Sequence, residues 1–347
     1  MNTRITMLLV SVISLAVGYG FGQAQRPTLA ATGTSAAVDP HAAHVGNTVL
    51  DEHAGHAAEA AASAVQAVSS NRNIPPSTEG AKARLDASPR HSEYVKITTA
   101  DGAPLNMWVV YPERRDKAPV VVLIHGASAF DDWIRTVGDQ LASEGFIAVV
   151  PDFLTGKGPN GGGSDAYAGP DDRGKAIATL TRPEMIARLN AAREYGVKLP
   201  AASGKSAVLG FCFGGSQTFM YVTQQPGLNA AVVFYGSAPV QPGTAAAGPG
   251  AAPPATYTPD RSMLTNIKAP VLGLYGGADA RINATIPGTQ AMMKELGKPY
   301  EVHYFEGAGH AFLSGQGGQN GANLKASEQS WPLAVSFLKR HLGNGGA

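Results

Sequence analysis

One cysteine lies in a sequence pattern that is typical of an enzyme nucleophile. Residues 210–214 read Gly-Phe-Cys-Phe-Gly, after a short apolar run and before a helix-like segment at 216–223. In this strand–turn–helix context the glycines allow a turn so sharp that the nucleophile adopts a strained backbone conformation. The sulfur would then lie at a helix N-terminus, where backbone N–H groups favour a thiolate. The pattern predicts Cys212 as a nucleophile; the alternative is an inert core cysteine beside a glycine-rich turn.

Two side chains with acid–base chemistry follow later strand-like runs. Asp279 ends a Gly-Gly-Ala-Asp turn after the apolar run 271–275. His310 follows the run 300–305 in a similar way. Because function gathers at the carboxyl ends of parallel strands, we expect both side chains to lie beside Cys212. His310 would take the thiol proton and later protonate the leaving oxygen, while Asp279 would hold the imidazole tautomer. Asp279 could instead be a simple turn residue.

Attack on a carbonyl group also requires an oxyanion hole, which usually consists of two backbone N–H groups. One should belong to Phe213, directly after the nucleophile. The other should belong to Ala127, after the buried strand that ends at His125-Gly126. We expect His125 itself to stabilise this loop rather than to react.

Strand-like and helix-like segments alternate through the larger part of the chain. After an initial hairpin that turns at Asp101-Gly102, further strands are predicted at 119–124, 146–150, 207–209, 230–235, 271–275 and 300–305. Helices are predicted at 133–144, 183–195, 216–223, 285–296 and 324–342. The segments 155–172 and 237–260 are expected to be irregular. This alternation predicts an α/β fold with a mostly parallel central sheet and helices on both faces.

Composition argues against several other classes of protein. The chain has 347 residues and a net charge of +1, so nothing indicates nucleic acid or an acidic surface as a partner. Its single cysteine excludes an intramolecular disulfide and a cysteine-based zinc site. We therefore expect a small-molecule substrate, and the chemistry assigned to Cys212 requires no cofactor.

The segment 1–24 is typical of an export signal. Arg4 precedes an apolar run at 7–17, and Gly22 and Ala24 place small residues before a cleavage site that follows Ala24. The run is short for a membrane span, so an uncleaved anchor is the lesser alternative. The sequence thus predicts a periplasmic or secreted protein, which contacts a membrane only if the anchor stays uncleaved.

Residues 25–90 have a composition that differs from the rest of the chain. They are rich in Ala, Ser, Thr, Gly and Pro and contain almost no large apolar side chains. Such a segment cannot bury a core, which predicts a disordered linker before a folded domain at 91–343. The linker carries two histidine pairs at i, i+3 spacing: His41, His44, His53 and His56. These imidazoles could bind a transition metal, although a solvated spacer is the simpler interpretation.

Residues 93–342 resemble the dienelactone hydrolase family. The stretches that carry the resemblance occur in the family's order: VVVLIHG, EGFIAVVPDF, GFCFGG, APVLGLYGGADARINATIP and GAGHAFL. The order nucleophile, acid, histidine is that of α/β-hydrolases. The resemblance implies an α/β-hydrolase fold with little or no lid domain. It also implies a Cys212–His310–Asp279 triad that acts on small esters or lactones.

Two departures from the family's pattern concern the site. Family members carry a glutamate that helps to activate the thiol, and at that position this chain has Gly126. They also bind the substrate carboxylate through arginines. One of these arginines lies four residues after the catalytic histidine, where this chain has Ser314. Arg173 and Arg281 are candidate anion-binding residues instead.

Together these patterns predict an exported hydrolase of small esters or lactones that works through a thioester on Cys212. Esters and lactones suit this chemistry better than amides, because the thiolate leaves more readily than an amine does. One alternative is a non-catalytic binding protein on the same fold, which the missing glutamate favours. Another is a metal-handling protein that acts through the His-rich tail.

Overall fold

The computed structural model describes residues 71–241 and 257–343. The export signal, the tail histidines and the part of the predicted linker before residue 71 lie outside these described residues and stay predictions. The strands are β1 (Ser92–Thr98), β2 (Pro104–Val110), β3 (Ala118–Ile124), β4 (Ile147–Pro151), β5 (Ala202–Phe211), β6 (Ala230–Phe234), β7 (Val271–Gly276) and β8 (Tyr300–Phe305). The α-helices are α1 (Thr78–Asp86), α2 (Asp132–Ser143), α3 (Pro170–Ile177), α4 (Arg182–Lys198), α5 (Phe213–Val222), α6 (Arg261–Leu264), α7 (Ala280–Asn283), α8 (Ile286–Glu295) and α9 (Ala322–Leu342). Of the helices in these two ranges, none is long and apolar enough to span a membrane.

The strands form one sheet in the order β1-β2-β4-β3-β5-β6-β7-β8. The pairs β1–β2 and β2–β4 are antiparallel, whereas all neighbouring strands from β4 across to β8 are parallel. Phe211 at the end of β5 pairs with Phe234 at the end of β6, so the parallel strands finish together at one carboxyl edge. Ligand sites of open α/β sheets lie at this edge. The mostly parallel sheet confirms the α/β fold predicted from the sequence.

Helices cover both faces of the sheet. β3 reads Ala-Pro-Val-Val-Val-Leu-Ile and all of its residues are buried, as expected for a strand that is covered on both sides. Val120 and Val122 pack in the core beneath α4, α5 and α8. Val121 and Leu123 pack in the core beneath α1, α2 and α9. Trp331 of α9 is fully buried in this second core.

The helix α3 lies where an irregular segment was expected. It begins at Pro170, inside the segment 155–172 that the sequence predicts to be irregular. Proline suits the first turn of a helix, and Asp171 and Asp172 place negative charge near the N-terminus, where the helix dipole favours it. The helix matters for the site because it carries Arg173.

The predicted domain boundary at residue 91 is too late. The preceding segment packs on the domain, where Ile74 and Ala81 are each only 1% exposed. The indole nitrogen of Trp133 donates a hydrogen bond of 3.0 Å to the carbonyl of Pro76. Composition did not reveal this attachment because it depends on a few apolar contacts and on backbone carbonyls. Residues 71–90 therefore belong to the folded domain.

Candidate active site

Cys212 lies in the sharp turn between β5 and α5. Its φ of 55° and ψ of −114° are strained for a residue with a side chain, and such strain is concentrated at active sites. A Cβ atom on Gly210 would lie 2.2 Å from the carbonyl oxygen of Gly214. A Cβ atom on Gly214 would lie 2.3 Å from the carbonyl oxygen of Ile124. Only glycine fits at these two positions, as the sequence pattern predicts.

Asp279 follows β7 and has two functions in the structure. One carboxylate oxygen caps α7 by accepting a hydrogen bond of 3.3 Å from the backbone N–H of Ile282. The other oxygen lies 2.5 Å from Nδ1 of His310, which follows β8. The carboxylate is buried, with 7% of the residue exposed. The helix cap thus fixes the carboxylate in the position that orients the imidazole.

The environment of His310 strengthens its basicity. Burial alone would lower its pKa, but the contacts with Asp279 and the interaction with Cys212 raise the pKa to about 9. Its Nε2 atom is buried and makes no hydrogen bond of standard geometry within the described residues. This nitrogen therefore stays available to exchange a proton with the neighbouring thiol or with a substrate.

The thiol of Cys212 is more acidic than an ordinary cysteine. Burial alone would raise its pKa, but His310, the backbone N–H of Phe213 and the positive charge of Arg281 together lower it. A lowered thiol pKa beside a raised imidazole pKa favours a thiolate–imidazolium pair. The structure thus brings the three predicted triad residues together.

The two residues predicted to donate to an oxyanion lie at or beside the turn that carries Cys212. The N–H of Phe213 is close enough to the sulfur to contribute to the lowered pKa of Cys212. A Cβ atom on Gly126 would lie 3.8 Å from Cβ of Cys212, so the end of β3 is also adjacent. Ala127 follows there and is half-buried. The position of both groups is consistent with an oxyanion hole.

His125 also lies at this edge but is held by the backbone. Its Nδ1 atom donates to the carbonyl oxygen of Gly126 at 2.9 Å. Its Nε2 atom accepts from the N–H of Phe153 at 3.3 Å. Burial lowers its pKa, which keeps the ring neutral. The contacts match the structural role that the sequence predicts for His125.

The two candidate anion-binding arginines both lie near this edge. Arg281 follows Asp279 on α7, and its charge acts on the thiol of Cys212. Arg173 lies near the end of β3, where its charge contributes to the lowered pKa of the buried His125. The Nε atom of Arg173 is buried and has no hydrogen-bond partner within the described part of the chain. Ser314, which stands at the arginine position of the family pattern described above, donates its hydroxyl to the carbonyl of Ala311.

Tyr235 is a residue of this site that the sequence analysis did not identify. Its ring packs edge-on against the imidazole of His310, with 5.2 Å between ring centroids. Burial and the nearby Cys212 raise the pKa of Tyr235 well above its ordinary value, so the hydroxyl stays protonated. Its position at the carboxyl end of β6 is the signal that could have identified it. The apolar run 230–235 instead predicted that Tyr235 is part of the strand. Tyr235 instead has a φ of 40°, outside the strand conformation.

No group of three or more His, Cys, Asp or Glu side chains in residues 71–241 and 257–343 is arranged to hold a metal ion. The tail histidines lie outside these ranges, and metal binding by them stays a prediction.

The mostly parallel sheet, with Cys212 in a sharp turn after β5, Asp279 after β7 and His310 after β8, has the fold and residue order of an α/β-hydrolase. Solved structures share this fold. A provisionally named dienelactone hydrolase from Klebsiella pneumoniae matches with a TM-score of 0.59 and 20% identity, over 72% of this chain and 99% of that one. A dienelactone hydrolase-like promiscuous phosphotriesterase from metagenomic libraries matches with a TM-score of 0.57 and 21% identity, over 73% and 99% of the two chains.

The chain belongs to the dienelactone hydrolase family, whose model matches residues 105–342. A protein of Saccharolobus solfataricus that is provisionally named a carboxymethylenebutenolidase is 29% identical over 277 residues, which cover 70% of this chain and 96% of that protein. A protein of Aquifex aeolicus with the same provisional name is 26% identical over 240 residues, or 65% and 89% of the two chains. These matches confirm the resemblance noted above and place the chain in the lactone and ester hydrolase class.

Proposed function

We propose that the protein is an exported hydrolase of small esters or lactones whose nucleophile is Cys212. The thiolate attacks the carbonyl carbon, and the bond to the alcohol oxygen breaks as a thioester forms. The imidazolium of His310 gives its proton to the leaving oxygen. His310 then takes a proton from water, whose oxygen attacks the thioester. The carboxylic acid leaves, and the thiolate–imidazolium pair is restored.

One observation carries this proposal: the 2.5 Å contact between Asp279 and Nδ1 of His310 beside a thiol of lowered pKa. The buried carboxylate fixes the imidazole tautomer and stabilises its positive charge. The other ring nitrogen then remains free for proton transfer with Cys212. A binding protein on this fold would gain nothing from this arrangement.

The oxyanion of the tetrahedral intermediate would be bound by the backbone N–H groups of Phe213 and Ala127. Phe213 begins α5, so the helix dipole supports its N–H group. Ala127 follows the end of β3 beside the nucleophile. Fixed donors of this kind stabilise charge that develops in the transition state.

A substrate with a carboxylate near the scissile bond would fit the charges at the edge. Arg281 acts electrostatically on Cys212, and Arg173 has a buried Nε atom without a partner in the described residues. Both cations would stabilise a substrate carboxylate. The lactone-hydrolase names of the relatives are consistent with such a substrate.

The catalytic part of the proposal is tested by turnover of p-nitrophenyl acetate and a panel of lactones, with and without a carboxylate. The full chain is expected to hydrolyse some of them, and Cys212→Ala to lose roughly 10⁴-fold in kcat. Ser262→Ala, which removes an exposed hydroxyl from α6, serves as the control. A Cys212→Ala protein with wild-type turnover would contradict the mechanism. A wild-type protein without any turnover would favour the non-catalytic binding protein.

The export part of the proposal rests on residues 1–24 and needs a separate test. We expect the protein in a periplasmic or secreted fraction, with a mass that corresponds to an N-terminus at Gln25. A mass that includes Met1 in a membrane fraction would favour the uncleaved anchor. A chelator should leave turnover unchanged, because thiolate attack requires no metal; a large loss would favour a role for the His-rich tail.

A further inference from the structure

Residues 71–90, which we call the N-terminal brace, contact the loop that carries the histidine of the proposed triad. The backbone N–H of Thr78 donates to the carbonyl of Ser314 at 3.0 Å, and the Thr78 hydroxyl lies 3.3 Å from the same oxygen. The side-chain amide of Gln316 donates to the carbonyl of Pro75 at 2.8 Å and to that of Leu313 at 3.0 Å. Gln316 is completely buried. The brace therefore binds this loop at Ser314 and at Gln316, which lie four and six residues after His310.

The brace also contacts the region just before the nucleophile. The indole nitrogen of Trp133 donates to the carbonyl of Pro76 at 3.0 Å, in a buried position. The Trp133 ring in turn packs edge-on against Phe211, with 4.9 Å between ring centroids. Phe211 directly precedes Cys212. The adjacent prolines of the brace thus connect the histidine loop with the elbow that bears the thiol.

Other contacts fix the brace to α2, away from the histidine loop. The hydroxyl of Thr136 donates to the carbonyl of Ala81 at 2.9 Å. The guanidinium of Arg84 donates to the side-chain oxygen of Gln140 at 2.9 Å, and Arg90 forms a 2.8 Å ion pair with Asp139. Because α2 packs on the central sheet, the brace is attached to a rigid support.

The histidine loop, residues 306–318, depends on such external contacts. Ala311, directly after His310, has a φ of 59°, which is unfavourable for a residue with a side chain. Asn323 of α9 accepts from the N–H of Gly309 and donates to the carbonyl of Gly315. The loop is therefore held from α9 on one side and from the brace on the other.

We propose that the N-terminal brace positions His310 against Cys212, so that it sets the reactivity of the thiol as well as the stability of the fold. The proposal rests on the proposed function, since it assumes that His310 activates Cys212. The family match begins at residue 105, so the brace lies outside it. Small displacements of a catalytic group are costly because proton transfer depends steeply on geometry.

The test compares two substitutions of Thr78 in the full chain. Thr78→Pro removes both hydrogen bonds to Ser314, while proline is well suited to the first position of a helix. Ser77 before it has a φ of −64° and a ψ of 170°, which is compatible with a following proline. Thr78→Val keeps the backbone N–H and serves as the matched variant. Ser206→Ala controls for stability, because it removes a buried hydroxyl that accepts from Arg193 and lies far from the carboxyl edge.

The readouts are kcat, KM and the pH dependence of iodoacetamide alkylation at Cys212. For Thr78→Pro we expect kcat to fall about five- to tenfold with little change in KM. The midpoint of alkylation should rise by roughly 0.5 to 1 pH unit, as His310 lowers the thiol pKa less effectively. Thr78→Val should resemble the wild type in all three. Ser206→Ala should lower the melting temperature without moving the alkylation curve.

If Thr78→Pro does not fold, Gln316→Met removes the other contact with the brace at similar side-chain length and should give the same changes. A variant with wild-type kcat and alkylation curve, and only a lower melting temperature, would show that the brace is merely structural. That result would leave the proposed function intact. Failure of the proposed function has a different signature. The alkylation curves of the wild type and of His310→Ala would then coincide, which would overturn both proposals.

Discussion

Two histidines follow strands of the same sheet at the same edge, yet their ring nitrogens have different partners. His125, after β3, binds the backbone on both sides, through Gly126 and Phe153. His310, after β8, binds the carboxylate of Asp279 through one nitrogen, and the other makes no hydrogen bond of standard geometry in the described residues. The first ring is bound to the backbone through both nitrogens, whereas the second keeps a nitrogen available for the proton transfer that we propose.

The comparison shows that the partner of a buried histidine decides its role. Burial on its own lowers the pKa of both rings. For His310 the interactions with Asp279 and Cys212 exceed this effect and raise the pKa to about 9. For His125 burial prevails, and the ring stays neutral. Between these two buried rings, the hydrogen-bonded carboxylate is therefore the difference that raises one pKa, while burial lowers the other.

The largest expected effect is that of His310→Ala. Without the base, kcat/KM should fall by roughly 10³- to 10⁴-fold, because the thiol loses most of its activation and no base remains to activate the water. His303→Ala is the matched control. His303 lies on β8, and its Nε2 atom is 2.9 Å from a carboxylate oxygen of Glu301 rather than in contact with Asp279. Steady-state kinetics on the best substrate measure both. Equal values of kcat/KM for His310→Ala and His303→Ala would show that His310 has no special role in the reaction.

The second prediction concerns the carboxylate of Asp279, a partner that His310 has and His125 lacks. Asp279→Asn should lower kcat by roughly 10²- to 10⁴-fold, because the amide supports the wrong tautomer and no longer stabilises the imidazolium. Asparagine is as good a helix cap as aspartate, so α7 should persist. We therefore expect a large loss of kcat with little change in the melting temperature. A variant with wild-type kcat would show that Asp279 is only a helix cap.

The third prediction uses the opposite pKa shifts of the two rings. The folded-state pKa of His310, about 9, exceeds its ordinary 6.5, so its stabilisation is complete below pH 6.5 and is lost as pH rises through 9. The pKa of His125 is lowered, so its contribution is present above pH 6.5 and is lost as pH falls below it.

Urea unfolding of the wild type, His125→Phe and His310→Phe between about pH 5 and pH 10 measures these contributions. The difference between wild type and His125→Phe should shrink as the pH falls, and that for His310→Phe should shrink as the pH rises. His125→Phe also leaves two backbone groups without partners, which should cost about 1–3 kcal/mol near neutral pH. Parallel pH profiles for the two variants would contradict the assignment of opposite shifts.

The smallest expected effect is that of Gly126→Ala. A Cβ atom there would lie 3.6 Å from the carbonyl of Phe211, an ordinary contact, and the carbonyl that binds His125 would remain. Activity should change by less than about twofold. Gly214→Ala is the contrasting variant, since its Cβ atom would collide with the carbonyl of Ile124 and should abolish folding or activity. A large loss in Gly126→Ala would show that the end of β3 has tighter requirements than its contacts indicate.

Much of the sheet and the nucleophile turn could be predicted because the sequence encodes them locally. Val-Val-Val-Leu-Ile in β3 indicates a strand buried on both faces, and β8 has the bounds predicted for it, Tyr300–Phe305. The glycines at 210 and 214 indicate the turn because no other residue fits. Such features depend on residue type and spacing rather than on distant contacts.

The parts that could not be predicted depend on contacts between segments that are distant in the sequence. The N-terminal brace binds through the carbonyls of Pro75 and Pro76, which composition cannot distinguish from those of a linker. Tyr235 was read as part of a strand, whereas its backbone turns at the end of β6 and places the ring against His310. In both cases the tertiary environment overrides the local pattern.

The central claim, that His310 activates Cys212, is tested most directly by the pH dependence of alkylation. Cys212 is the only cysteine, so iodoacetamide reports on one site. In the wild type the alkylation rate should reach half its maximum below the ordinary thiol pKa, as the lowered pKa of Cys212 requires. In His310→Ala the curve should shift to higher pH, although the N-terminus of α5 preserves part of the effect. Superimposable curves for the two proteins would contradict the mechanism.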